Sequence, residues 1–128
     1  MPESTLMAIF LNGVAQIEFD RSKKLSDFQV DYLDNMDAKM DQGITIGEQV
    51  IEQPDTTERV KFVAGNLLHA IKGNDESAAA AFCTYIGTRM PEIKQVRMTD
   101  INDEVSIELV FDKEYRRPIS IPVNSLNS

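Results

Sequence analysis

The sequence predicts an α+β fold: a mainly antiparallel sheet of four to five strands, with about three helices packed on one face. Strand-like alternation occupies both ends of the chain, and helical periodicity occupies its middle. The dipeptide Asn12-Gly13, between two apolar runs, is the strongest short hairpin signal. The sequence does not decide whether the N-terminal and C-terminal hairpins join in one sheet.

The first element is the hairpin around Asn12-Gly13. A two-residue turn with regular pairing sets Leu11 opposite Val14 and Ala8 opposite Ile17. In that register one face of the hairpin carries Leu6, Ala8, Phe10, Ala15, Ile17 and Phe19.

An amphipathic helix follows from Asp27 towards Gly43, the expected stop. Ser26 is its expected N-cap, and Gln29 completes a capping box. The apolar face, which needs cover, comprises Phe28, Tyr32, Leu33, Met36 and Met40. A second face gathers five carboxylates, those of Asp27, Asp31, Asp34, Asp37 and Asp41.

Residues 44–53 are ambiguous, because Ile44 and Ile46 alternate like a strand whereas Val50 and Ile51 also suit a helical turn. The second helix begins after Asp55, its expected N-cap, with Glu58 at the capping-box position, and it ends at Gly73. Its core stripe comprises Val60, Val63, Ala64, Leu67, Leu68 and Ile71.

The third helix runs from Asn74 or Asp75 through Arg89, with Ala79, Phe82, Cys83 and Ile86 facing inward. Its alanines at 78–81 favour helix and allow close packing on a neighbouring helix. Strands are predicted over 93–100 and 105–112, joined by a turn at Asn102-Asp103-Glu104. Residues 119–123 suggest an edge strand or extended coil, and 124–128 are expected to fray.

The composition indicates one domain over residues 1–128 in a cytoplasmic protein. A net charge of −8 argues against nucleic-acid and anionic-membrane partners. The N-terminal run lacks the features of a signal peptide, and no apolar run suits a membrane span. One cysteine excludes an internal disulfide and a cysteine-based zinc site.

The leading functional hypothesis is a non-catalytic accessory or protein-interaction domain that self-associates or binds a partner with a basic surface. Its proposed contact residues are Phe62 and the five aspartates of the first helix, Asp27, Asp31, Asp34, Asp37 and Asp41. The aspartate spacing also suits a divalent cation, but the chain offers no second acidic cluster, so no metal and no cofactor are predicted. Phe62 is expected to be buried under another element or to form an oligomer contact.

The alternative hypothesis is a small-molecule-binding domain or small enzyme, with a pocket between the helices and the sheet. Its polar groups would be those of His69, Cys83, Tyr85 and Arg89. Cys83 has no cationic neighbour in the sequence to stabilise a thiolate, which favours a buried structural thiol. His69 is expected at the surface, nearly opposite the core stripe.

Overall fold

Two hairpins join to form the main sheet. The computed structural model describes residues 5–115, in which β1 (Leu6–Leu11) pairs antiparallel with β2 (Val14–Asp20). Near the other end of the chain, two strands, Gln95–Ile101 and Glu104–Val110, also pair antiparallel. The first of these runs parallel to β1, which gives one four-stranded mixed sheet. The predicted α+β class is therefore confirmed, and the two hairpins do join.

The elements between the two hairpins are three helices and a small separate sheet. In chain order they are α1 (Asp27–Met40), β3 (Ile44–Ile46), β4 (Gln49–Ile51), α2 (Thr56–Lys72) and α3 (Glu76–Arg89). The two strands of the second main hairpin follow them and are named β5 (Gln95–Ile101) and β6 (Glu104–Val110). The ambiguous segment 44–53 thus contains a short hairpin, and the alternative of a helical turn at Val50 and Ile51 was wrong. The predicted strand at 119–123 and the predicted fraying at 124–128 lie outside the described residues.

The two main hairpin turns have the backbone that their sequences predict. Asn12 and Gly13 have φ of 51° and 82°, and Asn102 and Asp103 have φ of 53° and 65°. Positive φ at both central residues is the requirement of a tight type I′ turn, which Asn, Asp and Gly meet most easily. The two turns lie side by side, since the side chain of Asn12 accepts a hydrogen bond from the backbone N–H of Asp100 at 2.9 Å.

The register of the first hairpin differs from the regular one. Phe10 faces Ala15 as predicted, but an irregularity follows, and Ile9 then faces Ile17. Gln16 is the extra residue of this β-bulge. Beyond it, Ile17 and Phe19 of β2 therefore face Ile9 and Met7 of β1, and not Ala8 and Leu6 as regular pairing predicts. Met7 and Ile9 therefore lie in the core, and the prediction that Ala8 and Phe10 share a face with Ile17 and Phe19 was wrong.

The core lies between the sheet and the two helices α2 and α3. The predicted stripe of α2 is buried apart from Ile71, which is half-buried. Phe62 is also half-buried and packs against this core, which accords with the first of its two expected roles. Capping boxes at Ser26 and Asp55 begin α1 and α2, as predicted.

The last turn of α3 packs directly on β2. A Cβ atom on Gly87 would lie 2.3 Å from Cδ2 of Phe19, so only glycine allows this approach. Arg21 follows β2, and its guanidinium donates to the backbone carbonyls of Gly87 (3.0 Å), Met90 (3.3 Å) and Ile93. The Gly87 carbonyl lies in the last turn of α3, where backbone carbonyls lack an intrahelical donor, and Met90 and Ile93 follow the end of the helix. α3 is therefore held to the sheet at its C-terminal end.

Within residues 5–115, none of the helices has both the length and the apolar character needed to cross a membrane.

Candidate functional site

The aspartate face of α1 divides into two parts with different surroundings. Asp34, Asp37 and Asp41 form ion pairs with arginines of the neighbouring helices, whereas Asp27 and Asp31 are exposed towards the N-terminal end. Three of the five aspartates proposed as contact residues are thus engaged within the chain. Of the five aspartates, only Asp27 and Asp31 have no ion pair with another described residue.

Asp37 lies at the centre of these contacts. Its Oδ2 accepts a hydrogen bond from Arg89 Nε at 2.9 Å, and its Oδ1 accepts from the Tyr85 hydroxyl at 2.5 Å and from Arg59 Nη1 at 3.3 Å. Arg89 also reaches Asp34 at 2.9 Å, and Arg59 also reaches Asp41. We call these six residues the Asp37 cluster: Asp34, Asp37, Asp41, Arg59, Tyr85 and Arg89.

The Asp37 cluster fastens α1 to α2 and α3. Arg59 makes two further bonds of 3.1 Å, to the backbone carbonyls of Pro54 and Asp37, so its donors are largely used within the chain. The hydrogen bond to Asp41 raises the pKa of Arg59, and burial together with the bond to Asp37 raises the pKa of Tyr85. Both side chains therefore keep their protons, and charge-assisted bonds of this kind are the strong ones.

A cavity of about 430 Å³ lies beside the cluster. It is lined by Asp37, Pro54, Asp55, Thr56, Arg59, Tyr85 and Arg89. Its arginine and tyrosine donors point mainly at carboxylates of the same chain, and Asp55 accepts from the N–H of Glu58 as a helix cap. The polar groups of this cavity are thus largely satisfied by one another, which suits a structural role.

The four residues of the alternative pocket do not all come together. Tyr85 and Arg89 meet at Asp37, and the Arg89 guanidinium also lies 5.9 Å from the centre of the Tyr85 ring. His69 is exposed on α2, as expected. Cys83 is buried in the core with 2% of its surface exposed, as the structural interpretation of this thiol requires.

Burial of Cys83 predicts that its thiol is unreactive and that the protein becomes less stable at high pH. Burial raises its pKa from 9.0 to about 12, so the unfolded chain loses this proton at lower pH than the folded one. The contribution of the protonated Cys83 thiol to the free energy of unfolding is complete below pH 9.0, and it is lost as the pH rises towards about 12. At neutral pH we expect an aromatic disulfide reagent to modify native Cys83 at least about a hundredfold more slowly than the unfolded chain. Equal rates in buffer and in denaturant would contradict this.

The N-terminal half of α1 leaves an apolar surface uncovered. Leu33 and Met40 are buried as predicted, but Phe28 is 79% exposed and Tyr32 is 42% exposed. The prediction that these two aromatic rings are covered was wrong. They lie one helical turn apart, beyond the part of α1 that the Asp37 cluster holds against its neighbours.

An open groove of about 560 Å³ separates this half of α1 from α3. Its lining residues are Phe28, Gln29, Tyr32, Leu33, Asp75, Ser77, Ala78, Ala80, Ala81 and Thr84. The alanines that predict close packing on a neighbouring helix therefore divide, because Ala79 is buried whereas Ala78, Ala80 and Ala81 line the groove. We call this feature the α1–α3 groove.

The charge at the α1–α3 groove is negative. Asp75 belongs to its lining, Asp31 and Asp27 are exposed on the same half of α1 as Phe28, and Glu76 is exposed at the start of α3. The lining contains neither lysine nor arginine. The groove therefore combines exposed aromatic rings, small side chains and one carboxylate in its lining, with further exposed carboxylates on the two helices that form it.

The sequence contains a signal for the aspartates but none for their partners. Arg59 and Arg89 belong to the first turn of α2 and the last turn of α3, and only the packing of the helices brings them to Asp37. The groove was missed because the periodicity of α1 shows which side chains are apolar, but not which of them a neighbour covers.

Comparison of the chain with protein-family models, with curated proteins and with solved structures finds no match. Among residues 5–115, no group of three or more histidine, cysteine, aspartate or glutamate side chains is placed to hold a metal ion.

Proposed function

We propose that this protein is a non-catalytic interaction domain that binds a partner protein through the α1–α3 groove. The observation that carries the proposal is Phe28, a large aromatic side chain on a capped, regular helix that keeps 79% of its surface exposed beside an open apolar groove. Contiguous exposed apolar surface of this kind is typical of interaction sites. Removing a fully exposed phenylalanine side chain from water is favourable by about 1.5–3 kcal/mol of transfer free energy.

Charge supports a partner with a basic surface. Asp75 lines the groove, and the whole chain carries a net charge of −8. The carboxylates of Asp27 and Asp31 are exposed in the N-terminal half of α1, which forms one wall of the groove. Complementary charge accelerates association and selects among partners. A second copy of this chain would bring the same carboxylates together, which disfavours self-association through this surface.

The Asp37 cluster supports the non-catalytic part of the proposal. Its donors and acceptors are directed largely at one another. A catalytic group must be able to reach a substrate in a productive geometry. Fastening α1 beside the groove is the role that these contacts support.

Photocross-linking at position 28 tests the proposal directly. Phe28 is replaced by p-benzoylphenylalanine, and the protein is irradiated in its native host. The matched control carries the same group in place of Val50, which is 69% exposed on the short hairpin. We expect a discrete adduct from position 28 that position 50 does not give, and a lower yield when Asp31→Lys is added.

Two outcomes would contradict the proposal. Identical adducts from positions 28 and 50 would mean that exposure alone determines the contacts. An adduct between two copies of this chain would show that the surface binds a second copy of the protein and not a basic partner. Charge reversal at Asp34, Asp37 or Asp41 is unsuitable for this test, since it would also release Arg59 or Arg89.

A further inference from the structure

Resting on the proposed function, we infer that the α1–α3 groove binds an amphipathic helix of its partner. The bound helix presents apolar side chains at positions i, i+3 or i+4, and i+7, and carries lysine or arginine along its edge. This is the helix-in-groove mode of recognition, in which an apolar helix face fills a hydrophobic groove.

Hydrogen bonding favours a helical occupant over an extended one. An extended segment brings unpaired backbone N–H and C=O groups into the groove, and each needs a partner once water is excluded. Three of the polar side chains in the lining already have a hydrogen-bond partner within the chain. Asp75 accepts from the N–H of Ala78 at 3.1 Å, and the Thr84 hydroxyl donates to the carbonyl of Ala80 at 2.8 Å. Gln29 accepts from the N–H of Ser26 at 2.9 Å.

A helix satisfies its own backbone and needs only apolar contact from the groove. The lining of α3 extends from Asp75 to Thr84, which at ~1.5 Å per residue is a length of about 14 Å, or about two and a half helical turns. That length fits apolar side chains at i, i+3 or i+4, and i+7. The small side chains of Ala78 and Ala81 allow close approach, because interhelical distance depends on the side chains at the contact.

The two walls of the groove differ in a way that suits this occupant. α1 contributes Phe28 and Tyr32, which are spaced one turn apart and can pack along one flank of a docked helix. The carboxylate of Asp75 belongs to the lining, where a basic residue on the edge of that helix can pair with it, and Asp31 is exposed next to Tyr32 in the sequence of α1. The docked helix would complete a three-helix layer with α1 and α3.

Selection from a library of random 16-residue peptides tests this inference with the full chain as bait. The counter-bait is Ala81→Arg, which places a long charged side chain in the groove. Phe28→Asp serves as a second counter-bait, because Phe28 is so exposed that its replacement leaves the core intact. We expect selected peptides with helical apolar periodicity and lysine or arginine. We also expect at least about tenfold weaker binding to each variant, a loss that corresponds to about 1.4 kcal/mol.

The outcomes separate this inference from the function on which it rests. Peptides that gain helical circular dichroism on binding, and that depend on the groove, support both. Groove-dependent peptides with alternating apolar residues or internal proline would overturn the helical occupant and leave the interaction domain standing. If no selected peptide distinguishes the wild type from the two variants, both proposals are overturned.

Discussion

Replacing Asp37 with alanine is expected to lower the free energy of unfolding by about 2–4 kcal/mol. The substitution removes the acceptor of Arg59, Tyr85 and Arg89 at once, and it leaves two partly buried guanidinium groups short of a carboxylate. Removing one member of such a network costs more than the net contribution of the network, because the groups left behind remain desolvated. Urea denaturation followed by circular dichroism measures the difference.

Asp31→Ala is the matched control for this substitution. Asp31 lies on the same helix and is exposed, so its replacement is expected to change stability by no more than about 0.5 kcal/mol. A loss at Asp37 no larger than the loss at Asp31 would show that the Asp37 cluster does not hold α1. A large loss at Asp37 alone would confirm its role as the fastening of this helix.

Replacing Gly87 with alanine is expected to destabilise the protein by about 1–3 kcal/mol, although alanine is the better helix former. The added Cβ would lie 2.3 Å from Cδ2 and 2.5 Å from Cε2 of Phe19. The ring must move, or α3 must separate from β2, where Arg21 also contacts the end of the helix. The midpoint of urea denaturation should therefore fall.

Gly65→Ala supplies a control of opposite sign. Gly65 also lies inside a helix, but a Cβ there meets nothing within 4 Å, so alanine is expected to stabilise the protein by about 0.5–1 kcal/mol. The same chemical change thus has two signs according to the neighbour. Stabilisation by Gly87→Ala would contradict the close contact between α3 and β2.

Features set by neighbouring residues were predictable from the sequence. Ser26 with Gln29, and Asp55 with Glu58, form capping boxes because their partners are three residues apart. Asn12-Gly13 forms its turn because these two residue types adopt a positive φ easily, which is also a local property. Local chemistry acts within a few residues and needs no knowledge of the rest of the fold.

The register of β1 was less predictable, because its residues Leu6–Leu11 are apolar on both faces. Alternation cannot then show whether Ala8 and Phe10 or Met7 and Ile9 face the helices. The bulge at Gln16 decides the matter in favour of Met7 and Ile9. A strand with apolar residues on one face only would have fixed its own register.

The functional surface was only partly predictable. The aspartates of α1 were visible as a charged face, but their division into a fastened group and an exposed group depends on Arg59 and Arg89, which are distant in the sequence. The exposure of Phe28 likewise depends on how far α1 lies from α3. Both features follow from helix packing, which one-dimensional periodicity does not describe.

The affinity of one peptide, selected on the wild type without a counter-bait, for three forms of the protein tests the central claim most directly. The claim is that the N-terminal half of α1 forms an open docking surface with α3. Fluorescence anisotropy gives the Kd for the wild type, for Phe28→Asp and for Val50→Asp, whose side chain is exposed to a similar degree. We predict a loss of at least about tenfold for Phe28→Asp and no change for Val50→Asp. Equal affinity for all three forms would contradict the claim.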